Sequence, residues 1–123
     1  VILVDTAIWV DHLRAADADL IEMLRRRKVL AHPHVVGEIM LGSLRDRGVI
    51  LAMLALLPRA VVAGEAEVLH FIERERLFGI GIGYLDAHLL ASARLTAGAA
   101  LWTRDRRMAA VAARLGVGHS LPH

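Results

Sequence analysis

The sequence predicts an α/β fold, a mostly parallel sheet covered by helices, on three observations. Short apolar runs recur at residues 1–4, 29–32 and 99–102, and continuous apolar strands of this kind are usually covered on both faces. Segments of helical character separate them, and strands that alternate with helices build parallel sheets. Length is the third: 123 residues predict a single domain over 1–123, which buries roughly two-thirds of the surface its unfolded chain exposes.

Each element has a local reason. Residues 1–4 (Val-Ile-Leu-Val) form the first strand, and Thr6 is placed to cap a helix reaching Arg14. Asp17 caps a second helix to Arg27, whose basic end Arg25-Arg26-Arg27-Lys28 suits the negative pole of the helix dipole. Residues 29–32 form a strand that Pro33 ends, and helices are expected over 35–44 and 47–57. A weak strand at 59–63 precedes a charged helix at 65–78, and residues 79–83 form a flexible link. A helix over 84–97, a strand at 99–102 and a helix over 106–115 complete the chain, with no internal repeat or low-complexity tract.

Composition excludes several classes of function. The 56% apolar content and mean hydropathy of +0.49 exclude disorder. With no cysteine, a disulfide scaffold, a thiolate zinc site, an iron–sulfur cluster and a cysteine nucleophile are excluded. The net charge is +2, with fourteen arginines against one lysine. Arginine's planar fork suits phosphate, but codon bias produces the same ratio. The longest apolar run, 48–57, is about half the ~20 residues a membrane span needs, and the opening run stops at Asp5, too short for a signal-peptide core. A soluble, cytoplasmic protein without a membrane partner is the expectation. Residues 49–57 have no polar face, so they are either core or a surface for a second copy or a partner peptide.

Most acidic residues lie on helices beside arginines or near helix starts, where solvated carboxylates belong. Four do not. Asp5 and Asp105 each follow an apolar strand, the edge where open α/β sheets bind ligands. Glu38 lies in Val35-Val36-Gly37-Glu38-Ile39-Met40, apolar nearly all round, so burial is expected there and an unpaired carboxylate would cost several kcal/mol. Asp86 shares a helix face with Leu89, Leu90, Ala93 and Ala97. Each also has a plain reading, as a helix cap or a salt-bridge partner. Together they can converge on one sheet edge, where each anion pair at about 4 Å repels by about 4 kcal/mol at an effective dielectric of 20. Such a cluster protonates in part or holds cations, and oxygen-only ligation selects Mg²⁺ or Mn²⁺.

These residues resemble a known family. Asp5-Thr6-Ala7-Ile8-Trp9-Val10-Asp11-His12-Leu13 is similar to the first motif of PIN-domain ribonucleases of the VapC toxin group, and His32-Pro33-His34-Val35-Val36-Gly37-Glu38 with Leu41-Gly42 to the second. Gly81-Ile82-Gly83-Tyr84-Leu85-Asp86-Ala87-His88 resembles the third, and Leu101-Trp102-Thr103-Arg104-Asp105 the fourth. The four acids stand 33, 48 and 19 positions apart, in the family's order.

The resemblance implies a three-layer α/β/α sandwich with Asp5, Glu38, Asp86 and Asp105 as an acidic quartet. The quartet would hold Mg²⁺, with Mn²⁺ as substitute, and Thr103 beside it would orient a water or ligand. The implied activity is RNA hydrolysis by metal-activated water, restrained by a VapB-like antitoxin, in a protein expected to be a homodimer. Thr6, Arg104, Arg106 and Arg107 are candidate substrate contacts, although a solvated helix face is the plain reading of the arginines around the fourth motif, Arg114 included. The alternative is a non-catalytic RNA-binding or antitoxin-binding PIN module.

Other features lead elsewhere and fail. No histidine pair stands at i, i+4 within one helix as an H-E-x-x-H zinc site demands, and Gly79-Ile80-Gly81-Ile82-Gly83 lacks the spacing and lysine of a phosphate loop. A phosphoaspartyl receiver needs a lysine after a late strand, and the only lysine is Lys28. Trp9 and Trp102 have no aromatic neighbours in sequence and are expected in the core.

Overall fold

Val4 enters the interior before any helix begins, and the computed structural model, which describes residues 1–119, builds outward from that strand. Strand β1 (Ile2–Val4) lies between β2 (Val29–Leu30) and β3 (Ala100–Trp102), parallel to both, in the order β2-β1-β3. All three residues of β1 are buried. Because successive side chains point to opposite faces, helices must cover the sheet on both sides. Isolated parallel bridges widen it, Ala31 to Arg59 beyond β2 and Leu101 to Gly118 beyond β3.

The weak strand expected at 59–63 contracts to that single bridge. Ala31 donates its N–H to Pro58 O and accepts from Ala60 N–H at 2.8 and 2.9 Å. Beyond it Val61 and Val62 are exposed, so no buried face continues the pairing. The strand expected at 29–32 is shorter for a related reason: His32 leaves the ladder to cap the next helix.

Helix α1 (Thr6–Arg14) is capped by Asp5, not Thr6. Asp5 keeps an extended backbone and its carboxylate accepts the Thr6 N–H at 2.8 Å, so the cap falls one residue earlier than expected. Asp17 caps α2 (Ala18–Arg25) as expected, accepting from the N–H groups of Asp19 and Leu20. That helix stops before Arg27, which is left-handed with φ 56°.

Helix α3 (Pro33–Met40) starts at proline, two residues earlier than expected. Proline at the first helical position loses no helix hydrogen bond and has its φ already set. Next come α4 (Arg47–Leu56), α5 (Glu65–Arg74), α6 (Tyr84–Leu95) and α7 (Arg106–Arg114). Helix α5 ends short of Phe78 because Arg76 turns left-handed and Leu77 folds back into the core, its N–H donating to Ile72 O.

Burial is uneven. In α6, residues 87–93 are buried without a break, whereas α4 buries only Leu54 and leaves Val49 and Leu56 exposed. Trp9, Ile8, Leu20, Leu90 and Met108 fill the interior around β1, and Trp102 is buried as expected. Among the described residues no helix is long and apolar enough to cross a membrane.

Leu3 is fully enclosed at the centre of the sheet. Leu3→Ala is expected to destabilise the fold by roughly 2–5 kcal/mol in urea titration, through lost transfer energy plus a cavity in a two-sided layer.

Candidate active site

The parallel ladder places the first acid. Val4 pairs with Trp102 and the Asp5 N–H donates to Trp102 O at 2.9 Å, so Asp5 leaves β1 beside Thr103 as it leaves β3. The Thr103 hydroxyl donates to Asp5 Oδ2 at 2.7 Å and accepts the Asp105 N–H at 3.1 Å. One hydroxyl therefore joins two strand ends and two of the four acids.

The plain capping roles are real. Asp105 Oδ1 accepts the Met108 N–H at the start of α7, and Asp86 Oδ2 accepts the Gly83 N–H at the start of α6. Capping occupies one oxygen of each, and Asp86 Oδ1 and Asp105 Oδ2 have no partner among the described residues. Asp5, Glu38 and Asp86 line one open cavity of about 410 Å³ together with Thr6, Asp11 and Leu85. Asp105 does not line it and is linked to it through Thr103.

Glu38 corrects the sequence argument. Helix α3 buries only Val35 and Ile39, and Glu38 is exposed. The apolar residues around it do not enclose it because Met40 and Leu41 are themselves exposed. The expected desolvation instead falls on Asp5. Burial pushes the Asp5 carboxyl above its ordinary range, hydrogen bonds from Thr103 and Thr6 pull it back, and the charges of Asp86 and Asp105 push it up further.

That imbalance is what a cation would relieve. Among the described residues no three His, Asp or Glu side chains are grouped closely enough to hold one ion. Mg²⁺ does not need three, since it retains several waters and takes one or two carboxylates directly. The donors facing the cavity are hard oxygens, so this chain's residues fit the metal its sequence implies.

The arginines divide. Arg104 is held by Asp17 and by Asp11, and its guanidinium lies 5.5 Å over the Trp102 ring. The hydrogen bond from Arg104 is the main reason the Asp17 carboxyl is lowered, and the same bond raises Arg104. Arg104 therefore clamps the α1–α2 connection to the end of β3. Arg114 donates to Glu75 O at the end of α5. Arg107 packs over Gly81, where an added Cβ would stand 2.2 Å from its Nη1 and where φ is +85°. The left-handed backbone at Gly81 favours glycine, and Arg107 sits against the loop that leads into Asp86. Arg106 is exposed without an ion pair among the described residues.

Two groups of residues escaped the sequence reading. Arg14 and Arg45 line a second groove of about 420 Å³, which shares Val10 and Glu38 with the acid-lined cavity; isolated arginines in sequence give no sign of it. His32, His34 and His88 cluster between α3 and α6. Their signal was present, because Tyr84, His88 and Ser92 recur every fourth residue. Burial, with smaller contributions from His34 and His88, pushes His32 down to about 4.

Parallel strands bring Asp5 and Asp105 to one edge of a helix-covered sheet, and helices α3 and α6 add Glu38 and Asp86, a carboxylate-centred α/β arrangement. Residues 2–114 match the PIN domain family, and the chain belongs to that family, within its VapC group. Ribonuclease VapC32 of Mycobacterium tuberculosis, from strain CDC 1551 / Oshkosh and from strain ATCC 25618 / H37Rv, is 49% identical over 116 residues, covering 94% of each chain. No solved structure matches the chain.

Two consequences can be measured. The fold disfavours the ionised form of Asp5, so that charge costs stability above its raised pKa and the cost vanishes as pH falls through it. Asp5→Asn, which keeps an acceptor for Thr6, is expected to raise Tm at neutral pH, with each kcal/mol worth about 3 °C, by differential scanning fluorimetry in EDTA. His32 is held neutral down to about pH 4 while the unfolded chain protonates near 6.5. Its contribution is complete above pH 6.5 and is lost as pH falls toward 4, on the order of 3 kcal/mol. His32→Asn is expected to flatten that limb of the stability–pH curve.

Proposed function

We propose that this chain, as one domain over 1–123, is a VapC-like toxin, a Mg²⁺-dependent endoribonuclease acting on tRNA or rRNA, restrained by a VapB-like antitoxin in the cytoplasm. The observation that carries the reading is Asp5. It is a partly buried carboxylate held by Thr103, facing a cavity shared with Glu38 and Asp86 and charged further by Asp105. The 49% identity to Ribonuclease VapC32 supports the same reading.

Each residue has a distinct task. Asp5, Glu38, Asp86 and Asp105 hold divalent metal, and Mn²⁺ substitutes for Mg²⁺. A bound divalent ion supplies Lewis acidity and neutralises charge on the scissile phosphate. Thr103 holds Asp5 Oδ2 while the Thr6 N–H holds Oδ1, so the two donors fix the orientation of the carboxylate beside the cavity. Thr6 lines the cavity beside Asp5 and orients substrate there. Arg106 and Arg107 bind flanking phosphates, which makes RNA affinity fall with salt. Arg104, engaged by Asp11 and Asp17, contacts substrate only if those pairs open.

Partners follow from the same charges. A basic side chain from an antitoxin tail would relieve Asp5 as a cation does, and so would compete with metal. The exposed apolar residues of α4, Val49 and Leu56 among them, suit the interface of a homodimer.

Purified, antitoxin-free protein incubated with total bacterial RNA is expected to give discrete fragments with Mg²⁺ and none with excess EDTA. Asp5→Asn is expected to abolish cleavage, and Thr103→Val to reduce it about tenfold or more, as loss of a ligand-orienting partner does. Folded protein that binds RNA without cleaving it in either metal would replace this reading with a binding module.

A further inference from the structure

Helix α6 presents Tyr84, His88 and Ser92 at i, i+4 and i+8, one stripe on one face. The start of α3 meets that stripe with His32 and His34. At its deep end His32 Nε2 and Ser92 Oγ stand 2.9 Å apart, and both residues are 0% exposed. His32 Nδ1 accepts the His34 N–H at 3.1 Å, so Nε2 carries the ring proton and donates to Ser92. Midway, the His34 and His88 rings meet edge to face with centroids 4.5 Å apart, and Tyr84 meets His88 in the same way at 4.7 Å.

The two helices that the seam joins each carry one of the acids. Glu38 is one turn beyond His34 on the same side of α3, and Asp86 is in the first turn of α6, on another face of that helix from Tyr84 and His88. His32 is also the N-cap of α3, so one ring holds both the first turn of the Glu38 helix and a side chain of the Asp86 helix. Edge-to-face ring contacts tolerate sliding, whereas a buried hydrogen bond between a cap and a hydroxyl fixes a length and an angle. The seam also leaves His88 Nδ1 buried without a hydrogen-bond partner among the described residues. An apolar seam would join the helices without that cost, so adhesion alone does not account for these residue types.

We infer that His32 and Ser92 are positioning residues that set the separation of Glu38 and Asp86 by pinning the N-terminus of α3 to α6. The inference rests on the proposed metal-dependent ribonuclease reading. Neither residue touches metal or RNA; they act through the helices that carry the two acids.

The test uses the full chain and two readouts. One is the Mg²⁺ concentration giving half-maximal cleavage of total bacterial RNA. The other, without RNA, is the Mn²⁺ concentration giving half-maximal thermal stabilisation. Ser92→Ala removes the acceptor, and His32→Asn keeps a cap for His34 while falling short of Ser92. Both are expected to raise both midpoints about tenfold or more, with Ser92→Thr within about twofold of wild type. If Ser92→Ala does not fold, Ser92→Cys takes its place on the same criteria. Folded variants that lose Tm but leave both metal midpoints where they were would overturn the inference, since the tie would then be packing only. A wild-type chain that cleaves in Mg²⁺ while indifferent to these variants defeats the inference alone. A wild-type chain that neither responds to metal nor cleaves defeats the ribonuclease reading and this inference with it.

Discussion

The parallel register of β1 against β3 is the constraint on which the site depends. Val4 opposite Trp102 brings Asp5 and Thr103 out of the sheet side by side, where a 2.7 Å hydrogen bond joins them. A slip of one residue would turn every side chain of β1 to the other face, removing Leu3 and Val4 from their places and Asp5 from Thr103 at once. Apolar burial of three strand residues thus fixes the position of a polar one. The core and the acid site answer to the same register.

Around that pair the charges are sorted. Arg104, adjacent to the Asp105 cap, is drawn to Asp11 and Asp17 and laid over Trp102. Asp5 has hydroxyl and backbone donors, which orient it without neutralising it. Burial holds the carboxyl above its ordinary range against those donors, and the charges of Asp86 and Asp105 add to the rise. Such an arrangement favours positive charge in the cavity, and among the described residues lining it none is cationic.

Much of this was legible in the residues, for reasons that vary by position. The strand-end placement of Asp5 and Asp105 follows from short apolar runs terminated by an acid, and those runs do form the parallel sheet. Glu38 lines the cavity but is exposed rather than buried, because the apolar pattern of α3 does not specify which of its residues the rest of the fold covers. The weak strand at 59–63 failed because pairing requires a covered face, which only tertiary packing decides. Ser92 gave no sign by itself, since a serine in a helix acquires meaning only when a histidine sixty positions away reaches it. Arg14 and Arg45 meet at a groove between α1 and the end of α3, a proximity no local pattern encodes.

The unequal burial of α6 and α4 implies a gradient of local opening free energies. Helix α6, enclosed for seven consecutive residues, belongs to the unit that opens only with the whole molecule, and its amides should be among the slowest to exchange with solvent. Helix α4 buries one residue and begins at a left-handed Asp46 with no side-chain cap. It can fray without disturbing β1, β3 or α6. The acids anchored to those elements would survive a local unfolding event, and a protease entering near residue 46 would meet a cleavable chain while the Asp5–Thr103 pair remained folded.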